Sequence, residues 1–112
     1  MSCLFCSIAE GTIPSQKAYE DDLCLVFHDI SPQAPVHLLV IPKEHIESVA
    51  AVTAENAPLV AHMMTVIAKL AEALGLDSGF RVVSNCGKDA QQSVPHLHFH
   101  LLAGRQLSWP PG

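Results

Sequence analysis

His96-Leu97-His98-Phe99-His100-Leu101-Leu102 alternates imidazole with apolar side chains over seven residues. That period of two is the signature of a strand with one face in a core. Residues two apart in a strand point the same way. His96, His98 and His100 therefore share one face, and Leu97, Phe99 and Leu101 pack behind them. Core histidines occur singly, because burying several imidazoles is expensive. Three in a row point to chemistry.

Working outward, Val36-His37-Leu38-Leu39-Val40-Ile41 is β-branched and apolar and ends at Pro42, which reads as a buried strand. Ahead of it lies the stiff loop Ser31-Pro32-Gln33-Ala34-Pro35. Ala18–Glu20 and Leu23–Phe27 flank the turn signal Asp21-Asp22 and predict a hairpin. Cys3–Glu10 predicts one short helical turn, stopped by Gly11 and Pro14. Leu59, Met63, Val66, Ile67, Leu70 and Leu74 recur at helical steps and predict one long helix from about Thr53 to Leu74, with Gly75 as the stop. Pro58 must lie in the first turn, which moves the cap toward Asn56. Phe80–Asn85 predicts a strand, 87–93 a polar loop, and His96–Leu102 the last strand. The sum is an α+β fold with a mainly antiparallel sheet.

A chain of 112 residues suits a single domain, 1–112. No apolar stretch approaches the roughly 20 residues of a membrane span, and the N-terminus lacks the basic and apolar regions of a signal peptide. The expectation is a cytoplasmic protein with no membrane contact and reduced thiols. A net charge of -5, with only six Lys and Arg, argues against nucleic acid as a partner.

Two chemistries suit the histidine face: metal ligation, or nucleophilic and acid–base work. Same-face neighbours sit about 7 Å apart along a strand, too far for the end pair to share one ion. Nucleophilic use fits better, with Gln92 and Ser93 supplying an amide and a hydroxyl at the strand entrance and His37 on the other strong strand. Cys3-Leu4-Phe5-Cys6 has the spacing of a zinc half-site, but two packed thiols are an equal reading. Cys24 and Cys86 read as packing thiols, His62 as a partly exposed helix residue.

The histidine run resembles the histidine triad (HIT) pattern, His-φ-His-φ-His-φ-φ. Phe27–His37, Val40-Ile41-Pro42-Lys43, Gly104-Arg105-Gln106 and Trp109-Pro110-Pro111-Gly112 are similar to the Hint branch of that family. The resemblance implies a five-stranded sheet with one long helix and a short N-terminal helix, continued across a homodimer. It implies that His98 attacks the α-phosphorus of a nucleotide, with His100, Ser93 and His37 assisting. Asn85 and Gln92 match phosphate-contacting positions; Asp29, Ile30 and Phe27 match the nucleoside pocket; Trp109 matches a segment that helps select substrates across the dimer. The implied substrates are purine nucleoside phosphoramidates, adenosine ones especially, or acyl-nucleotides. Alternatives are a dinucleoside polyphosphate hydrolase and a nucleotide-binding regulatory protein whose catalysis is incidental. Zinc-bearing relatives imply a structural Zn2+ on Cys3, Cys6, His45 and His96. Pro95 stands where Hint-like chains usually carry an aromatic, and it removes one backbone N–H next to the site.

Overall fold

The computed structural model describes residues 3–112. Five strands, β1 (Lys17–Glu20), β2 (Cys24–His28), β3 (Val36–Pro42), β4 (Phe80–Val83) and β5 (Phe99–Ala103), form one sheet in the order β1-β2-β3-β5-β4. Every neighbouring pair is antiparallel. Helix α1 (Leu4–Glu10) and helix α2 (Ala57–Ala73) complete the α+β architecture.

The two central strands explain why their sequences are continuously apolar. β2 and β3 are covered on both faces, so neither face can be polar. On one side Val26, Leu38, Val40, Phe99 and Leu101 pack against Met63, Val66 and Ile67 of α2. On the other, Leu25, Phe27, Leu39 and Ile41 pack beneath Phe5 and Ile8 of α1. Full burial of such side chains stabilises the fold by about 1.5–3 kcal/mol each. The long helix starts after Asn56, inside the expected span. Thr53 and Asn56 hold its entry reciprocally: the Thr53 amide donates to Asn56 Oδ1 (2.7 Å) and the Asn56 amide to Thr53 Oγ1 (3.3 Å). Gly75, at φ +68°, turns the chain out of it. Leu74, read as part of the apolar stripe, is 50% exposed and lies past the core.

The largest difference from the sequence reading is at the triad. The β5 ladder begins only at Phe99, so His96 to His98 precede the strand. Pro95 has no N–H to offer, the His96 amide folds back to Val94 O (2.8 Å), and the Leu97 amide reaches Ile46 O (2.6 Å). That last bond draws the segment after β3 onto the triad. The three histidines are thus not one row of a strand. Likewise β4 stops at Val83, and Ser84 turns its hydroxyl to the His98 carbonyl (2.9 Å). Among the described residues no helix is long and apolar enough to cross a membrane.

Candidate active site and metal site

The bend at Pro95 sorts the histidines into two groups. His96 is fully buried and turns toward α1. Its Nδ1 lies 3.4 Å from Cys3 Sγ, 3.5 Å from Cys6 Sγ and 3.2 Å from His45 Nδ1, and Cys6 Sγ lies 3.2 Å from His45 Nδ1. All four ligand atoms fall within 4.8 Å of one another. Tetrahedral zinc, with bonds of about 2.3 Å to sulfur and 2.0–2.1 Å to nitrogen, separates its ligand atoms by about 3.3–3.8 Å. His96 Nε2 donates to the Pro42 carbonyl (2.9 Å), which leaves Nδ1 with a lone pair aimed into the cluster. A backbone carbonyl in that role is how a metal-bound imidazole is usually oriented. These residues fit a metal ion, and burial holds the His96 ring below its usual pKa, that is, neutral.

The His98 ring also packs against Phe5 of α1, but its neighbour on the other flank is His100, which leads on to His37 of β3. The His98 Nδ1–H donates to the His96 carbonyl (2.7 Å), so Nε2 carries the free lone pair. The Phe5 ring meets the His98 ring edge-on, with centroids 5.0 Å apart, and fixes its plane. His98 is only 4% exposed, and the His100 ring lies 5.1 Å from it. The tautomers of the neighbours follow from one backbone amide. Gln33 N–H donates to His37 Nδ1 (3.0 Å), which places the His37 proton on Nε2. That proton faces His100 Nδ1 at 2.9 Å, with Asp29 Oδ2 at 3.4 Å. His100 therefore keeps its own proton on Nε2. Burial, with His98 and His37 as neighbours, pushes the His100 pKa down to about 4. Burial also lowers that of His37, against the pull of Asp29.

His37, His100, Gln33 and Asn85 line two adjoining cavities. One, of about 820 Å³, continues to Asp29, Ser93 and the 89–91 loop. The other, of about 500 Å³, continues to Arg81, Arg105 and the C-terminal segment. Of the positions singled out in the sequence, His37, His100, Ser93, Asp29 and Asn85 come together here, with His98 directly behind His100. Besides His98, four do not line these cavities. Phe27 lies under Phe5 in the core, with centroids 5.6 Å apart. Ile30 is fully exposed and Trp109 is 80% exposed. Gln92 holds its own loop: its Nε2 donates to Glu47 O (2.9 Å) and Val94 O (3.1 Å), and its Oε1 accepts from the Gly87 amide (2.9 Å).

Residues that sequence reasoning missed are Gln33, Gln91 and the two arginines. Gln91 has φ +61°, unusual for a side chain larger than Asn, and it lines the larger cavity. No sequence signal announces that strain. His62, read as unremarkable, pairs Nε2 with Asp21 Oδ2 (2.7 Å) and ties α2 to the β1–β2 turn. Asp21 is partly buried, yet hydrogen bonds from Tyr19, His62 and the Leu23 and Cys24 amides hold its carboxyl well below the carboxylate range. Cys24 is a packing thiol as expected, fully buried, with burial pushing its pKa up to about 12.

Residues 2–108 match the family model described as "Scavenger mRNA decapping enzyme C-term binding". An uncharacterised HIT-like protein of Synechococcus elongatus is 49% identical over 109 residues, covering 97% of this chain and 96% of that one. The crystal structure of a HIT family hydrolase from Legionella pneumophila superposes with a TM-score of 0.97 at 48% identity, covering 99% of this chain and 100% of the other. A histidine triad nucleotide-binding protein from Candida albicans superposes with a TM-score of 0.83 at 35% identity, over 97% of this chain and 83% of the other. With the triad bent as described, its middle ring set against His100 and the sheet matched end to end, this chain belongs to the histidine triad superfamily.

Proposed function

We propose that this protein is a nucleotide hydrolase that cleaves adenosine 5′-phosphoramidates, or acyl-nucleotides, through a nucleotidyl-histidine at His98. The observation that carries the reading is the arrangement of protons. His98 has its Nδ1–H bound to the His96 carbonyl and its Nε2 lone pair free, while His100 carries its proton on Nε2 beside it. A nucleophile next to a proton carrier is the pattern of covalent catalysis. In the first step the His98 Nε2–P bond forms and the P–N bond breaks, and the departing nitrogen takes a proton delivered through His100 from solvent. In the second, water attacks phosphorus, the Nε2–P bond breaks, and the proton of water leaves by the same route. A bound phosphoryl anion favours the charged form of His100 and offsets part of the burial effect. Ser93 and Asn85 line the cavity where they can donate to phosphoryl oxygens. Asp29, which accepts from the Ser31 amide (2.7 Å) and lines the same cavity, would take ribose hydroxyls in this reading.

Structural zinc on Cys3, Cys6, His45 and His96 belongs to the same reading. A closed set of four leaves no open position, so the ion would supply folding energy and tie α1 to the triad segment. The chain works as a homodimer in this reading, with Trp109 reaching the partner. Light scattering giving 12.0 kDa instead of about twice that mass would remove the partner and the role of Trp109. The deciding measurement is turnover of adenosine phosphoramidate against diadenosine polyphosphates, side by side. Faster phosphoramidate hydrolysis, with a trapped adenylyl-protein, supports the reading. Faster polyphosphate hydrolysis replaces it with the alternative enzyme, and no turnover of either leaves a nucleotide-binding protein.

A further inference from the structure

The two cavities that meet at His100 are opposite in charge. The larger is lined by Asp29 and Asp89 and by no Lys or Arg; the smaller is lined by Arg81 and Arg105 and by no Asp or Glu. The chain has only six Lys and Arg residues and a net charge of -5, so two guanidiniums in one 500 Å³ cavity are a third of its cations. Lys17 and Lys43 are paired with Glu20, whereas no carboxylate lies within salt-bridge distance of either arginine among the described residues.

The fold aims both side chains into this space. In the register, Arg81 pairs with Leu102, and Leu102 pairs with His37. Directly paired residues share a face, so Arg81 stands on the same side of the sheet as His37, one row from His100. It is half-buried there. Arg105 follows Gly104, whose φ of +94° and whose missing Cβ, which would lie 2.8 Å from Pro35 Cβ, allow a tight turn against the 31–35 loop. The turn lets Arg105 Nε donate to Gln33 O (3.0 Å) and Nη1 to Gln106 O (3.0 Å). A guanidinium has five N–H donors, so most of this fork remains free while its position is fixed. Gln33 is also the residue whose amide sets the His37 tautomer, so the arginine is anchored to the loop that orders the reacting histidines.

We propose that Arg81 and Arg105 form an anion subsite that takes a second negative group of the substrate, on the leaving-group side of the scissile bond. The proposal rests on the hydrolase reading above: with the ribose at Asp29 and the reacting phosphorus at His98 and His100, the arginine cavity is where the departing portion lies. The shared ligand chemistry is an oxyanion, either a carboxylate on a departing amine or a further phosphate. Paired guanidiniums recognise both.

The test uses matched ligands on the full chain, with Arg81→Gln and Arg105→Gln as variants. The adenosine phosphoramidate of glycine, which carries a carboxylate, is compared with that of ethylamine by kcat/KM. ADP is compared with AMP by calorimetric Kd. The expected result is a preference of about tenfold or more for the charged member in wild type. It should fall toward parity in either variant and with rising salt in wild type. Preference in the glycine arm alone identifies a carboxylate subsite, and in the ADP arm alone a phosphate subsite. Parity in both arms of wild type, or a preference untouched by both variants, overturns the proposal. Loss of all turnover with ADP still tighter than AMP would instead overturn the hydrolase reading and leave the subsite standing.

Discussion

His96 and His98 are two residues apart, share a segment, and are both almost fully buried, yet they sit in opposite chemistries. The difference is the second ring nitrogen. His96 gives its Nε2–H to Pro42 O and points Nδ1 at two sulfurs and another imidazole. His98 gives its Nδ1–H to a carbonyl and keeps Nε2 for the side that holds His100. A lone pair facing other lone pairs calls for a cation. A lone pair left free beside a proton carrier suits an electrophile. Burial alone does not separate the two cases; hydrogen-bond direction does.

The comparison breaks most visibly at His98. Replacing it with Ala should lower turnover by more than about 10³-fold while nucleotide Kd changes little, since the ring is proposed to act on phosphorus rather than to hold the nucleoside. Turnover within tenfold of wild type would mean that its free Nε2 is not the nucleophile. Removing metal is the next largest effect. Chelation, or Cys3→Ser, should lower Tm by about 10 °C, the equivalent of roughly 2 kcal/mol in a chain this size. Elemental analysis of protein purified without chelator should give one zinc per chain. Metal far below one equivalent, with both thiols freely titratable, would reduce that half of the comparison to sulfur packing beside imidazole.

His37→Gln probes the link between the two neutral rings. His37 fixes the His100 tautomer through a proton that Gln33 places on Nε2. A Gln side chain keeps a donor without fixing which atom accepts from Gln33. The expected loss is about 10²-fold in kcat with KM nearly constant, and a shifted acid limb in the pH–rate profile. A change in KM alone would make His37 a binding residue.

The sequence carried the sheet well because β2 and β3 are continuous apolar runs, and those patterns survive any tertiary context. It also placed Asn56 at the helix entry, and the four residues that the family resemblance named for zinc, Cys3, Cys6, His45 and His96, lie together in the fold. It misread the triad as a row on a strand, because alternation of polar and apolar residues looks the same in an extended segment that has left the ladder. Pro95 was visible, but its consequence depended on the bond from the Leu97 amide to Ile46 O, fifty-one residues from Leu97 in sequence. Gln92 and Ile30 show a second limit. Motif matching locates a residue beside a site, while the direction of its side chain is decided by loop hydrogen bonds such as those from Gln92 to Glu47 and Val94.

The smallest effect, and the one that sharpens the comparison furthest, is the pH dependence of stability. His100 titrates near 4 in the folded protein, and His37 is also lowered, chiefly by burial. Both titrate near 6.5 when unfolded. Between those values the unfolded chain binds more protons than the folded one, so stability rises with pH and is lost as pH falls from about 6.5 toward 4. One proton of difference gives a slope of at most about 1.4 kcal/mol per pH unit. A metal held by Cys3, Cys6, His45 and His96 would also loosen in acid, since its ligands must be deprotonated, so wild type alone does not separate the two regions. His100→Gln does. It removes one imidazole from the open set, leaves Cys3, Cys6, His45 and His96 in place, and keeps an acceptor for His37. Thermal denaturation from pH 7.5 to 4 should show a shallower fall in Tm for the variant than for wild type, with identical metal content at each pH. Equal slopes would mean that the neutral form of His100 is not what the fold enforces, and that the two buried regions differ in their ligands but not in how they handle protons.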